Sequence, residues 1–353
     1  MDSLKRYLPI AALLVIIICV QLLTSATDTA YYLTQLTMAA YYSLLIIGLC
    51  VLMGYAGQIS LGHAGFFAIG GYLSAALTSN DFSAYQDTAV MQMMEKAGLL
   101  VQRQSLYGEA LLNIQPWPAC IIAVTVAVVI AFVLGIPVLK LKGHYLALAT
   151  LGFGIIIFRI ALAAEFFGEA DGISEVPPFQ LFPGVAVNGD FANRVQNYYI
   201  AWGLLLFGLF LLLNLIHSRV GRALRSIHGS EEAAEAIGVN TARYKLYTFV
   251  ISAAFAAVAG SFLTHYNGGI GPSEASVMKS VRYVAIVAVG GMANLWGALI
   301  MGIVLNFMSL RGMFGTYDDA VFGAILILIM LFAPQGILSL QIRNIFRSKK
   351  TDS

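Results

Sequence analysis

Apolar residues in this chain come in long unbroken runs, not in the alternation of a half-buried strand or the three-and-four spacing of a surface helix. Residues 8–23, 31–53, 119–138, 145–164, 199–215 and 246–266 are each a near-continuous apolar block. A helix needs about 20 such residues to cross a hydrocarbon core, so each block predicts one crossing. A further apolar stretch ends near Leu77, and residues 314–332 form another. Residues 281–310 admit one long helix or two short ones, because Gly290, Gly291, Asn294 and Gly297 interrupt them.

Polar sequence is confined to a few places. Residues 79–116 carry Asp81, Asp87, Glu95 and Glu109, and their middle, 86–106, predicts an amphipathic helix using Met91, Met94, Leu99 and Leu100. Residues 165–197 form a second acidic loop with a Pro177-Pro178 breaker. Residues 218–242 are a short charged island between two apolar blocks. Composition reinforces this pattern: 59% of the 353 residues are hydrophobic and 11% charged. Soluble domains carry about 25% charged residues, so a soluble fold is excluded. Cys19, Cys50 and Cys120 fall inside apolar runs without metal-ligand spacing and read as small buried hydrophobes. Lys5 and Arg6 before the first run, with Ser25 and Ala26 after it, admit a cleaved signal peptide; the length of the run favours a retained helix.

Charge placement settles the crossing count. Thirteen of the 20 Lys and Arg sit in four places: Lys5 and Arg6; Lys140 and Lys142; Arg219, Arg222, Arg225, Arg243 and Lys245; and Arg343, Arg347, Lys349 and Lys350. Putting all four in the cytoplasm requires an even number of crossings, and ten satisfies it if 281–310 is a pair. The expectation is an all-α polytopic integral membrane protein with about ten transmembrane helices, some short or broken, and both termini cytoplasmic. One transmembrane domain then covers 1–340, with periplasmic loops 79–116 and 165–197, a cytoplasmic segment 218–242 and a basic tail 341–353.

Within the island, Arg222, Leu224, Arg225 and Ile227 predict a turn and a half of helix, which Gly229 breaks. Ser230 is placed to cap a second helix, with Glu231 and Glu232 in its first turn where the macrodipole favours acids. Gly238 stands just past its end, as a glycine that closes a helix should. The result is a rigid, bounded knob. On physics alone, an ordinary loop helix accounts for it as well as a docking element does.

A second unusual stretch is GYAGQISLGHAGFFAIGGY, residues 54–72. Its six glycines either let helices pack closely or open the backbone toward a cavity. Gln58, Ser60 and His63 add weight to the second, since polar groups at membrane depth face protein or water. Asn306 and Ser309 read as interhelical hydrogen-bond partners. No G-x-x-x-x-G-K-[ST] occurs, so the chain has no phosphate cradle of its own. There is no HExxH and no supported Ser-His-Asp constellation, and every acid maps outside the spans or to the island. An ion-coupled secondary transporter or channel, which expects mid-membrane acids, is disfavoured.

Glu232-Ala233-Ala234 followed by Gly238 resembles the EAA-x-x-x-G signature of ABC importer permeases. The 54–72 stretch is similar to the signature of the branched-chain amino acid (LIV/HAAT) permease family. GHYLALATLGFG, GRALRSI, ARYKLYTFVISAAFAAVAGS and the PQGIL ending resemble its LivM-type subunits, so the likeness runs from about Leu49 to Leu338. It implies the membrane subunit of an ATP-driven importer for branched-chain or related hydrophobic amino acids, with no ATPase site of its own. Implied partners are two ABC ATPase subunits, which use the ATP, a second homologous permease and a periplasmic binding protein, all at the inner membrane and with no nucleic acid. Arg222, Ser230, Glu231, Glu232, Ala233, Ala234 and Gly238 would contact the ATPase. Gly57, Gln58, Ser60, Gly62 and His63 are candidates for the substrate path. Family members often carry an acid where Ile155 and Arg282 stand, which leaves the urea and short-amide permeases open as an alternative.

Overall fold

The computed structural model describes residues 2–104, 110–141 and 143–332, so the basic tail lies outside the described residues. Helices α1 (Asp2–Ala26), α2 (Tyr32–Tyr55) and α3 (His63–Ser79) come first. The first polar loop holds α4 (Ala89–Lys96) and an antiparallel hairpin of β1 (Leu100–Gln104) and β2 (Ala110–Ile114). Then follow α5 (Pro116–Val138) and α6 (His144–Ala163). The second polar loop contains β3 (Ile173–Ser174), β4 (Phe179–Phe182) and β5 (Val185–Val187), the last two paired with each other. After α7 (Arg194–His217) the island forms α8 (Arg219–Gly229) and α9 (Glu231–Ala236). The chain closes with α10 (Thr241–Asn267), β6 (Gly269–Ile270), α11 (Val277–Gly290), α12 (Leu295–Leu310) and α13 (Asp318–Phe332).

This is an all-α polytopic membrane protein. Six helices among the described residues are long and apolar enough to cross a bilayer: α1, α2, α5, α6, α7 and α10. They differ in what covers them. Residues 39–56 of α2 and its end are buried without interruption, as expected of a helix that is apolar all round and sits at the centre. By contrast α1 shows Leu8, Leu14, Val15, Leu22 and Leu23 outward, where lipid tails replace protein contacts without loss.

The most extensive helix contact is that of α3 with α10. A Cβ on Gly70 would stand 2.1 Å from the Ala257 carbonyl oxygen, and one on Gly260 2.0 Å from that of Phe67. Small residues thus let the two backbones touch, and Ala253, Ala256, Ala257 and Ala259 are buried along the same helix. Residues 281–310 are two helices, α11 and α12, joined by a turn at Gly291 with φ +97° and capped by Asn294, whose Oδ1 accepts from the Gly297 amide (3.1 Å).

The first polar loop departs from the single amphipathic helix expected over 86–106. Thr88 caps α4, but Gly98 turns the chain at φ +68° after only eight helical residues. The apolar side chains that follow are then used in a hairpin, where Leu112 and Ile114 are buried. Asp81 holds the base of that hairpin: its Oδ1 accepts from the amides of Ser83 (3.0 Å) and Leu112 (2.9 Å).

Candidate functional site

Ser218 Oγ accepts from the Val220 amide (3.1 Å) and starts α8 at Arg219, three residues earlier than the sequence reading. Leu224 and Ile227 are buried on one face, while Arg222 is exposed. Arg225 turns back and donates through Nη2 to the Ile216 carbonyl (2.6 Å), tying α8 to the last turn of α7, whose carbonyls lack partners within the helix. Ser230 then caps α9 through the Ala233 amide (3.2 Å). At the other end Gly238 has φ +85°, its amide donates to Glu235 O (2.9 Å) and that of Val239 to Ala234 O (3.0 Å). Both ends are closed by their own residues, so α9 is a stiff element of one and a half turns.

Its side chains divide sharply. Ala234 is buried against the rest of the chain. Glu231 pairs with Lys245 Nζ at 2.5 Å, and Glu235 Oε1 accepts from Thr241 Oγ1 (2.6 Å), so two acids fasten α9 to the start of α10. Ser230, Glu232, Ala233 and Gly238 are exposed. Glu232 has no ion pair among the described residues, and Ile237, at the end of the helix, is 75% exposed. An acid without an ion pair and a bare isoleucine on one short helix are an unusual surface for a polar island.

Between α2 and α3 the chain is not helical, and the candidate path residues lie in this loop and its exit. Gly57 has φ +67°, and a Cβ there would sit 3.0 Å from His228 Nδ1 of α8. The loop therefore rests on the island. Gly62 abuts the Thr150 carbonyl of α6 in the same way, at 2.5 Å. His63 is fully buried, with Nδ1 3.0 Å from Ser60 Oγ and Nε2 2.7 Å from Ser252 Oγ of α10. Leu61 N donates to Thr150 Oγ1 (3.0 Å), and Ala64 N to Ser280 Oγ of α11 (3.2 Å). These bonds join α3, α6, α10 and α11 at one level. Gln58 is different: it is 3% exposed, and neither side-chain amide atom has a partner among the described residues.

Two polar groupings were not visible in the sequence. His265 near the end of α10 donates or accepts at Ser74 Oγ (2.8 Å) through Nε2 and at the Pro177 carbonyl (2.7 Å) through Nδ1. Since a carbonyl only accepts, Nδ1 carries the proton and Nε2 accepts from Ser74, whose oxygen accepts in turn from Ser261 (2.9 Å). The second polar loop is thereby pinned to α10 and α3. The other grouping surrounds Glu274, in the turn after β6. Its Oε1 accepts from Lys279 Nζ (3.0 Å) and from the Tyr42 hydroxyl (3.1 Å). Glu274 falls outside every apolar run, yet its carboxylate reaches a residue near the middle of α2.

The positions that depart from the family pattern play other roles. Ile155 lies on the surface of α6. Arg282 joins α11 to α12 and α13, donating to Ser309 Oγ (3.1 Å) and Asp319 Oδ1 (3.2 Å) over the Phe322 ring. Ser309 is thus an interhelical partner, whereas the Asn306 amide donates within its own helix to Gly302 O (2.7 Å).

The six long apolar helices, a short capped and exposed helix, α9, and ordered polar loops are the architecture of a polytopic integral membrane protein. The chain belongs to the family described as branched-chain amino acid transport system / permease component, whose model matches residues 31–330. It is 32% identical over 362 aligned residues to the high-affinity branched-chain amino acid transport system permease protein LivM of Salmonella typhimurium, covering 96% of this chain and 76% of that one. The LivM protein of Escherichia coli K12 is 31% identical with the same coverage. LivH of Escherichia coli K12, also named a permease protein of that system, is 28% identical over 87% of this chain and 96% of its own. No solved structure matches the chain.

Proposed function

We propose that this chain is one of two homologous membrane subunits of an ATP-driven importer for branched-chain amino acids. The likeness to both LivM and LivH supports a pair of related permeases, one of them this LivM-like chain. Ten helices cross the inner membrane, α1, α2, α3, α5, α6, α7 and α10 to α13, with both termini and the island in the cytoplasm. The polar loops around α4 and between α6 and α7 face the periplasm and receive a substrate-loaded binding protein. The path runs between the two permeases.

The observation that carries the coupling role is the exposed face of α9. Glu232, Ala233, Ile237 and Gly238 form a small surface that its own chain leaves uncovered, on a helix fastened to α10 by Glu231 and Glu235. An ABC ATPase subunit is the occupant: a basic groove in it would take Glu232, and Ile237 would be removed from water. Two such ATPases supply the ATP chemistry, and this chain binds no cofactor. Their closure moves α9, and α8 passes the movement to the 56–62 loop through His228 and Gly57. Gly57, Gln58, Ser60, Gly62 and His63 then lie at the cytoplasmic end of the path, with Gln58 free to bond a passing polar group.

Uptake of radiolabelled leucine into proteoliposomes carrying both permeases, with ATPase subunits and binding protein, tests this. Uptake should require ATP and fall at least tenfold with Glu232→Lys while the complex still assembles. Uptake that persists without the ATPase subunits overturns it, as does ATP-dependent uptake of urea with none of leucine.

A further inference from the structure

The Glu274 grouping is assembled from four separate elements. Glu274 sits in a 3-10 turn, Pro272–Ala275, held in place by pairing of β6 with β3 and by Ala275, which is buried in one cluster with Ala68, Tyr72 and Ala75 of α3. Lys279 lies in the first turn of α11, where the helix dipole opposes a cation, so its position depends on the carboxylate beside it. Tyr42 is ten residues into α2, about 15 Å along that helix. Its ring stacks on Phe67 of α3 at 5.7 Å, lies 6.2 Å from that of Tyr283 and has the Lys279 ammonium 4.9 Å above it.

The bonding is incomplete in a specific way. Glu274 Oε1 has two donors, but Oε2 is buried without any among the described residues. The hydroxyls of Tyr72 and Tyr283 are also buried and without partners among the described residues, in residues only 2% and 1% exposed; Tyr72 packs in one cluster with Ala275, and the Tyr283 ring lies beside that of Tyr42. An acceptor and two donors that need partners thus surround one ion pair. The pair itself is not sealed: the side chains of Glu274 and Lys279 are 20% and 22% exposed. Charges left partly open beside the middle of a membrane helix face a water path or another protein, not lipid. A buried polar atom without a partner calls for an explanation, and a ligand, ion or water that supplies the missing bonds is one.

We propose that Glu274, Lys279, Tyr72 and Tyr283 form this chain's half of a transient binding site for a zwitterionic amino acid in the translocation path; this rests on the importer reading above. The substrate ammonium donates to Glu274 Oε2. Its carboxylate lies beside Lys279 and accepts from the two tyrosine hydroxyls. The aliphatic side chain lies against the Tyr42 and Phe67 rings. Glu274 and Lys279 cancel in charge, so a zwitterion enters without leaving a net charge in the membrane, whereas a keto acid or an amine would not. Such matching selects for the α-amino acid group and leaves side-chain choice to the binding protein.

The test uses the complete complex in proteoliposomes. Tyr72→Phe and Tyr283→Phe remove only hydroxyls that no other described residue uses, so assembly and melting temperature should not change. Leucine moved per ATP hydrolysed should fall threefold or more in each, and at least tenfold in Glu274→Gln, while ATP hydrolysis stimulated by loaded binding protein stays within twofold. Photo-leucine captured during turnover should label peptides of α3 and α11, and excess leucine should abolish the labelling. Wild-type coupling in both tyrosine variants overturns the proposal, as does photo-leucine that is transported but labels neither helix. If Glu274→Gln fails to assemble, the two tyrosine variants decide. A wild-type complex that moves no leucine with ATP refutes the importer reading and this site together; normal wild-type uptake with unaffected variants refutes the site alone.

Discussion

Gly57 and His228 meet where the loop between α2 and α3 rests on α8, and a side chain at Gly57 would be tight: its Cβ would lie 3.0 Å from the imidazole Nδ1. The backbone there has φ +67°, which L side chains rarely adopt. Gly57→Ala therefore combines strain with a close contact, and we expect a loss of about 1–3 kcal/mol. Adding His228→Ala should return the contact part and leave the strain. Thermal unfolding of the purified chain in detergent measures both; a Gly57→Ala protein as stable as the wild type would refute the contact.

Gly260→Leu should prevent folding, because its first side-chain atom would enter the space of the Phe67 carbonyl, and backbone cannot step aside. The cost exceeds the about 1–3 kcal/mol of ordinary overpacking. Gly203→Leu on α7 is the control, since nothing stands within 4 Å of its Cβ position. Yield of monodisperse protein should collapse for the first and hold for the second.

Ser252→Ala takes away the partner of His63 Nε2 in a fully buried site, and we expect a cost of about 1–3 kcal/mol. Pairing it with His63→Phe should recover part of that, because the stranded nitrogen is then gone. Equal melting temperatures for the single and double variants would argue against the bond.

Glu231 and Glu232 are adjacent but should separate cleanly in experiment. Glu231→Gln loosens α9 from Lys245 and should lower stability by about 1 kcal/mol, as for a partly exposed pair. Glu232→Gln should leave the melting temperature unchanged and reduce transport per ATP. Both effects are read on one preparation by calorimetry and leucine uptake.

The hairpin of the first polar loop should loosen in acid. The Ser83 hydroxyl, and then the amides of Leu112 and Ser83, hold the Asp81 carboxyl below its ordinary range. A depressed carboxylate contributes stability that is complete above its unfolded pKa and is lost as pH falls through the folded one. Protease cleavage within residues 80–115 should therefore rise at the acid end in the wild type, while Asp81→Asn should be cleaved readily at every pH.

The six long apolar helices and the ends of α9 were legible because each depends on local sequence: an apolar run, a capping serine, a glycine with positive φ. The pairing of α11 with α12 was legible from charge, since a single helix would have placed Arg343 to Lys350 on the other side. What stayed hidden depends on tertiary approach. Ala234 and Ala233 look alike in sequence, yet one is buried and one exposed. His265 appears as a lone polar residue in an apolar helix until Ser74 and Pro177 are brought to it. Glu274 sits in a polar turn by composition, and only the folding-back of that turn onto α3 carries its carboxylate to Tyr42.

One helix touches every level of the molecule. Lys245, Ser252, Ser261 and His265 of α10 bond in turn to α9, His63, Ser74 and the Pro177 carbonyl. Its 27 residues span about 40 Å as a single piece. Because it is one unbroken helix bonded at both ends, a tilt imposed at Lys245 would be carried along it to His265.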